Sequence, residues 1–265
     1  MTQDITPHVQ GTLADGIYTI TISNPAKMNA MSLEMWEKFA ACVHDANRNK
    51  SVRVIAVTGH GRKAFMSGAD ISKFSSQRAN TIQREKYAIA VREAQTSLMQ
   101  SPHPTVAIIR GVCMGGGVAL ALACDLRYCN TRSRFGMPAA KLGLAYAPEG
   151  VGQAIKVLGA SRASDLFLTA RIFDGQEAAR IGFVNEVFPD DLFDTIITQR
   201  LNSMAKLAPL SLQAFKKAKR YYLNDENAPS LEEVKASVTA CFESQDFAEG
   251  QQAFLAKRSP NFKGK

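Results

Sequence analysis

An α/β fold followed by a helical C-terminal region is what this 265-residue sequence predicts. Three observations carry that prediction. Short β-branched runs alternate with helical stretches over residues 1–190. Two glycine-containing loops punctuate the alternation, each following a strand and preceding a helix. Beyond Phe188-Pro189 the pattern turns helical and stays helical. Residues 1–190 therefore read as an α/β core and 191–265 as a helical region.

The elements follow in order. Ile17-Tyr-Thr-Ile-Thr-Ile22 is β-branched and aromatic, which favours a strand, and Asn24-Pro25 ends it. Ser32 suits the N-cap of a helix reaching Asn47. Residues 52–57, Val-Arg-Val-Ile-Ala-Val, read as a second strand closed by Gly59-His-Gly61. A longer helix is expected over 81–99, stopped by Pro102 and Pro104 before a third strand at 105–109. Gly115-Gly-Gly117 opens an apolar helical run over 118–124, and a strand over 125–129 follows. Ser230-Leu-Glu-Glu233, after Pro229, has the form of a capping box.

Composition narrows the function classes. Thirty-two Lys and Arg against 24 Asp and Glu leave a net charge of +8, which favours an anionic partner without naming it. Nucleic acid is not expected: the basic tail from Lys257 to Lys265 carries a single aromatic, Phe262, and no reader motif. The N-terminal segment has no basic flank leading into an apolar core. The longest apolar stretch, 118–124, falls far short of the ~20 residues a membrane span needs. A cytoplasmic protein without membrane contact is the expectation. Cys42, Cys113, Cys124, Cys129 and Cys241 form no CxxC pair and read as buried free thiols. The four histidines stand singly, so no metal site is expected. GxSxG, GxxxxGK[ST] and GxGxxG motifs are absent from the sequence.

The chemistry concentrates in the two loops, Ala64-Phe-Met-Ser-Gly-Ala-Asp-Ile71 and Arg110-Gly-Val-Cys-Met-Gly-Gly-Gly117. Glycine permits close backbone approach, and a helix N-terminus presents unpaired N–H groups with partial positive charge. Two such loops face to face can hold an oxygen that becomes negative during a reaction. As isolated motifs, both also read as plain turns.

Their order and spelling resemble the enoyl-CoA hydratase/isomerase, or crotonase, superfamily. The resemblance runs from Ile20-Thr-Ile-Ser-Asn-Pro-Ala-Lys-Met-Asn-Ala-Met-Ser32 through both loops to Phe135-Gly-Met-Pro138, Leu142-Gly-Leu144 and Ala178-Ala-Arg-Ile-Gly-Phe-Val-Asn185. It ends in the tail Glu249 to Phe262. It implies a spiral of ββα turns and a C-terminal helical trimerisation region, giving a homotrimer or a dimer of trimers. The ligands it implies are acyl-CoA thioesters, with coenzyme A entering as part of the substrate and no separate cofactor. It assigns the oxyanion hole to the backbone N–H groups of Ala69 and Gly116. It places CoA contacts at Lys27, Ser67, Gly68, Asp70, Phe254 and Lys257. A solvated lysine, a helix-packing Phe254 and a helix-capping Asp70 are the plainer readings of those side chains.

One departure is chemical. The family's hydratases use two glutamates, and the matching positions here are Ala119 and Ala139. A methyl group cannot move a proton, so two-glutamate hydration is not expected. The acid that other members place eight residues further on corresponds to Ala147. Glu149 in Ala145-Tyr-Ala-Pro-Glu-Gly150 reads either as a first-turn helix charge or as a relocated acid/base. Tyr146 reads as a pocket wall before it reads as a catalyst, and Cys113 and Met114 as lining. Two functions follow: an enzyme that stabilises a thioester enolate, as in isomerisation, or an acyl-CoA-binding pseudoenzyme that lost both acids.

Overall fold

Asp15-Gly16 starts the architecture. Both residues take positive φ, 49° and 79°, as a two-residue hairpin turn requires. They join β1 (His8–Ala14) to β2 (Ile17–Ser23) in an antiparallel pair. The computed structural model describes residues 6–225 and 227–265. Beyond the hairpin, α1 (Leu33–Arg48) crosses to β3 (Val54–Gly59), which pairs parallel with β2.

Parallel neighbours need a crossover, and each later crossover carries a short strand as well as a helix. After β3 come β4 (Ala64–Met66), α2 (Phe74–Gln77) and α3 (Thr81–Met99). After β5 (Thr105–Ile109) come β6 (Val112–Met114) and α4 (Gly116–Ala123). After β7 (Leu126–Asn130) come β8 (Arg134–Gly136), α5 (Pro148–Leu158) and α6 (Ala160–Thr169). β9 (Ile172–Asp174) and α7 (Gly175–Arg180) then lead to β10 (Glu186–Phe188). The long strands form one sheet in the order β1-β2-β3-β5-β7-β10, and the short ones a second, β4-β6-β8-β9. This is the expected spiral of ββα turns. The two glycine loops are thereby corrected in one respect: their leading residues are the strands β4 and β6.

Local chemistry explains most boundaries. Ser32 caps α1, its hydroxyl accepting from Met35 N–H at 3.4 Å, and Trp36, Phe39 and Val43 recur at helical spacing on the buried face. The helix expected over 81–99 is α3, capped by Asn80. The strand expected at 52–57 begins instead at Val54. Val52 is held in a turn by its N–H bond to Asn49 O at 3.0 Å, and the β2–β3 register opens at Ile17 opposite Val54.

The helices after residue 190 are α8 (Phe193–Ala205), α9 (Pro209–Tyr222), α10 (Leu231–Phe242) and α11 (Gln245–Leu255). Ser230 and Glu233 form the expected capping box at α10. α8 buries Phe193, Ile197 and Leu201 against Val54, Ala56, Val106 and Ile108, on one face of the long sheet. α9 is tied to the core by charge: buried Lys216 and neighbouring Lys219 both pair with Asp125, and Lys216 also donates to His103 O at 2.9 Å. No described helix is long and apolar enough to cross a membrane.

His103 makes a first prediction. Burial, reinforced by the nearby Lys216 charge, lowers its pKa from 6.5 to about 4. Unfolding releases that restraint, so between pH 6.5 and 4 the unfolded chain binds the proton and the folded chain does not. Thermal stability is therefore expected to fall as pH is lowered from 6.5 to 4, and His103→Asn to flatten the fall. Equal slopes in wild type and variant, read from Tm against pH, would contradict this.

Candidate active site

The site begins with the loop that follows β2. Asn24 and Asn29, both buried, lace it together. Asn29 Oδ1 accepts from Asn24 N–H at 3.0 Å, Asn29 Nδ2 donates to Ala64 O at 2.7 Å, and Asn24 Nδ2 donates to Ala30 O at 2.8 Å. That lacing lays Met28 to Met31 alongside the segment leaving β4. Ser67 N–H donates to Met28 O at 3.0 Å, Met31 N–H to Gly68 O at 2.9 Å, and Asp70 N–H to Met31 O at 3.0 Å. Met31 and Ala69 are thus bridge partners, with the bonds made by the residues flanking Ala69. The alternation of a β-bridge turns the Ala69 N–H away from Met31. Tyr87 braces the same point, its hydroxyl donating to Met31 O at 3.2 Å and accepting from Trp36 Nε1 at 2.9 Å.

The second loop meets the first at the start of α4. Gly115 N–H donates to Gly136 O at 2.9 Å, and Ala119 N–H to Gly115 O at 3.1 Å closes the first helical turn. Gly116 N–H is consequently one of the helix's unpaired leading donors. Neither it nor Ala69 N–H donates to another described residue. The two segments nearly touch: a β-carbon on Gly68 would lie 3.4 Å from Met114 O and 3.7 Å from Gly116 N. Gly68 has φ +113°, where side chains are strained, and a β-carbon on Gly117 would come within 2.4 Å of Met66 O. Ala69 and Gly116, whose N–H groups donate to no other described residue, thus stand on backbone segments that approach each other at Gly68.

The side chains around this pair are mostly engaged. Asp70 caps the 3-10 turn of residues Ile71–Lys73, accepting from Ser72 N–H at 3.1 Å, and it also receives Lys27 Nζ at 2.8 Å. Burial opposes ionisation of Asp70, but the bonds from Lys27 and Ser72 outweigh it and hold its pKa below the usual carboxylate range. Ser67 hydroxyl donates to Lys27 O at 3.0 Å. Lys27, Ser67, Gly68, Ala69 and Asp70 are thus one constellation. Phe254 and Lys257 stand apart at the end of α11, Phe254 83% exposed. Phe254 lines an apolar groove with Phe242, Phe247 and Phe262 that touches neither Gly68 nor Gly116.

Ala119 is half-buried and Ala139 buried, each offering only a methyl group. Glu149 sits exposed in the first turn of α5, 3.4 Å from Arg92 of α3. Tyr146 lies beside the Gly115 backbone: a β-carbon built on Gly115 would end 3.7 Å from its hydroxyl. Its loop is folded back by Leu144 N–H donating to Ala139 O at 3.0 Å, and its ring packs edge-on against Phe167 at 4.9 Å. Cys113, Cys124 and Cys129 are buried, and burial pushes all three thiols up, Cys124 and Cys129 to about 12. They are protonated at neutral pH and unsuited to nucleophilic attack. Among the described residues, no group of three or more His, Cys, Asp or Glu side chains is placed to hold a metal ion.

Fold and site together define a class, a ββα spiral carrying two free backbone amides where its first two turns meet. The family model described as enoyl-CoA hydratase/isomerase matches residues 12–265, and the chain belongs to that family. Similar proteins include the 2,3-dehydroadipyl-CoA hydratase of Escherichia coli, 30% identical over 94% of this chain and 96% of that one. Another is the peroxisomal Delta(3,5)-Delta(2,4)-dienoyl-CoA isomerase of Arabidopsis thaliana, 29% identical over 93% and 92%. Among solved structures, an enoyl-CoA hydratase/carnithine racemase from Magnetospirillum magneticum superposes with a TM-score of 0.90. It is 34% identical and covers 98% of this chain and 97% of its own.

Proposed function

We propose that this protein is an acyl-CoA-processing enzyme whose Ala69 and Gly116 amides hold the thioester oxygen while an enolate forms at the α-carbon. The observation that carries this reading is the juxtaposition of the two unpaired N–H groups across Gly68. Negative charge develops on that oxygen only as the reaction proceeds, so fixed donors aimed at it stabilise the transition state more than the ground state. Lys27 and the backbone of Ser67, Gly68 and Asp70 are assigned to the CoA side of the channel, with Lys27 shared between Asp70 and a phosphate. Phe254 and Lys257 are assigned to the adenine end. The exposed apolar residues of the C-terminal helices, Phe215 and Phe242 among them, are assigned to contacts between copies in a trimer or a dimer of trimers. CoA arrives with the substrate, and no other cofactor enters the scheme.

Hydration by two glutamates has no support in residues 119 and 139, which separates this protein chemically from the hydratases it resembles. A panel of 2-enoyl-, 3-enoyl- and malonyl-type CoA thioesters, followed by mass spectrometry, tests the reading. Turnover of at least one is expected; binding without turnover of any would favour the pseudoenzyme. Installing the missing acids together, Ala119→Glu with Ala139→Glu, is expected to raise hydration of a short 2-enoyl-CoA above the wild-type rate. An unchanged rate in a folded double variant would mean that the pocket differs by more than its acids.

A further inference from the structure

The cations around the amide pair are engaged, with one exception. Lys27 meets Asp70 and Ser72, and Arg92 meets Glu149. Arg78, at the end of α2, is the exception: among the described residues its guanidinium meets no carboxylate, and its Nε is buried without a hydrogen-bond partner. The guanidinium carbon stands 3.7 Å from the centre of the Tyr87 ring and 4.4 Å from that of Phe74. Its backbone is fixed on both sides. Gln77 Oε1 accepts from Leu33 N–H at 3.0 Å, and Asn80 caps α3 by accepting from Gln83 N–H at 2.9 Å. Tyr87 alone separates Arg78 from the bridge that carries Ala69, since the Tyr87 hydroxyl donates to Met31 O. Burial raises the Tyr87 phenol, and the Arg78 charge pulls it the other way. Trp36, bonded to the same hydroxyl, continues the line to Gly116: its Cζ2 lies 3.4 Å from where a Gly116 β-carbon would stand.

We propose that Arg78 selects acyl-CoA thioesters whose acyl chain ends in a free carboxylate. This rests on the acyl-CoA reading above and narrows its substrate class to dicarboxylic acyl groups. A guanidinium is permanently charged and carries five N–H donors in a planar fork. Aromatic contacts steady such a group but leave its N–H edge without an acceptor, and a buried donor left unpaired costs free energy. A carboxylate answers that edge with two parallel charge-assisted bonds. The described chain brings none there, so a ligand carboxylate fits the vacancy. A chain ending in a methyl group would instead cover the cation without replacing the water it displaces, so the same side chain discriminates in both directions. The acyl end is favoured over a CoA phosphate because Arg78 connects to the amides through Tyr87 and Trp36, and not through Lys27 or Ser67.

The test titrates the full chain by calorimetry with glutaryl-, adipyl- and suberyl-CoA, with valeryl-, hexanoyl- and octanoyl-CoA of matching length, and with free CoA. Wild type is expected to bind at least one dicarboxylic thioester about tenfold or more tightly than its partner of equal length. Arg78→Met and Arg78→Gln, two neutral variants, are expected to abolish that preference while holding the monocarboxylic thioesters within about threefold of wild type. Loss of a purely structural brace would weaken all thioesters alike. No preference in wild type at any length would overturn the proposal, as would a preference that survives in the folded neutral variants. Equal weakening of free CoA and of every thioester in those variants would assign Arg78 to a CoA phosphate or to bracing, and would overturn it too. Thioester binding without a preference leaves the acyl-CoA reading standing. Binding of neither free CoA nor any thioester by wild type would overturn both.

Discussion

Gly116→Pro is expected to lower kcat by about 100- to 1,000-fold while leaving thioester binding near wild type, the usual cost of one lost oxyanion donor. Proline removes the N–H assigned to the oxyanion hole, yet it stands at the first position of α4, where helices accept proline because the N–H is unpaired anyway. Gly116 has no left-handed φ to forbid the substitution. The added β-carbon would come 3.2 Å from Met66 Cε and 3.4 Å from Trp36 Cζ2, and the end of a methionine side chain can give way. Gly116→Ala brings the same β-carbon but keeps the N–H, so it separates crowding from donor loss. With turnover measured on a thioester that wild type processes, the alanine variant should stay within about tenfold of wild type and the proline variant should not. Equal rates in the two variants, both folded by circular dichroism, would remove Gly116 N–H from the mechanism.

The second large effect concerns stability. Asp125→Asn is expected to cost about 3 kcal/mol or more, lowering Tm by about 10 °C for a chain of this size. Asp125 receives hydrogen bonds from Thr105 N–H at 2.9 Å and Thr105 Oγ1 at 3.0 Å, and it faces both Lys216 and Lys219. Burial by itself would raise its pKa, but the two ammonium groups outweigh that and hold it at about 2. Lys216 does less well from the pairing, since burial pulls its pKa down even as Asp125 pushes it up. Neutralising the carboxylate therefore strands a buried cation, and that stranded charge is the main cost. A lowered carboxylate pKa stabilises the fold above the unfolded value near 3.8, and the contribution is lost as pH falls toward about 2. The acid limb from Asp125 thus lies below the one from His103. The double variant Asp125→Leu with Lys216→Met should recover much of the loss, because it removes both buried charges. A single variant as stable as wild type in thermal unfolding would contradict this account of how α9 is fastened.

The sequence makes some of this architecture readable and hides the rest for identifiable reasons. α3 and the caps at Ser32 and Ser230 are legible because helix periodicity and hydroxyl capping act within a few residues. β4, β6, β8 and β9 span three residues each, too few for a period of two to show, and two of them lie inside glycine-rich stretches that read as turns. β1 has mostly exposed residues, so no alternation of apolar and polar side chains marks it, and its pairing with β2 across Asp15-Gly16 is what defines it. At the site, the paired glycine loops were visible. The lacing by Asn24 and Asn29 was not, since each asparagine's value depends on a backbone conformation that composition does not report. Tyr146 reaches Gly115 across thirty-one positions of chain, through the bond from Leu144 to Ala139. The pairing of Lys216 with Asp125 spans 91 positions and has no local signature at all.

If the Ala69 and Gly116 amides polarise a thioester carbonyl, the carbonyl itself can report it. An acyl-CoA labelled with carbon-13 at the thioester carbon, bound to wild type and to Gly116→Pro, gives the comparison by NMR. A downfield shift on binding to wild type, largely lost in the proline variant while Gly116→Ala retains it, is the predicted result. A bound carbonyl resonance that matches free thioester in wild type, or that is the same in all three proteins, would contradict it.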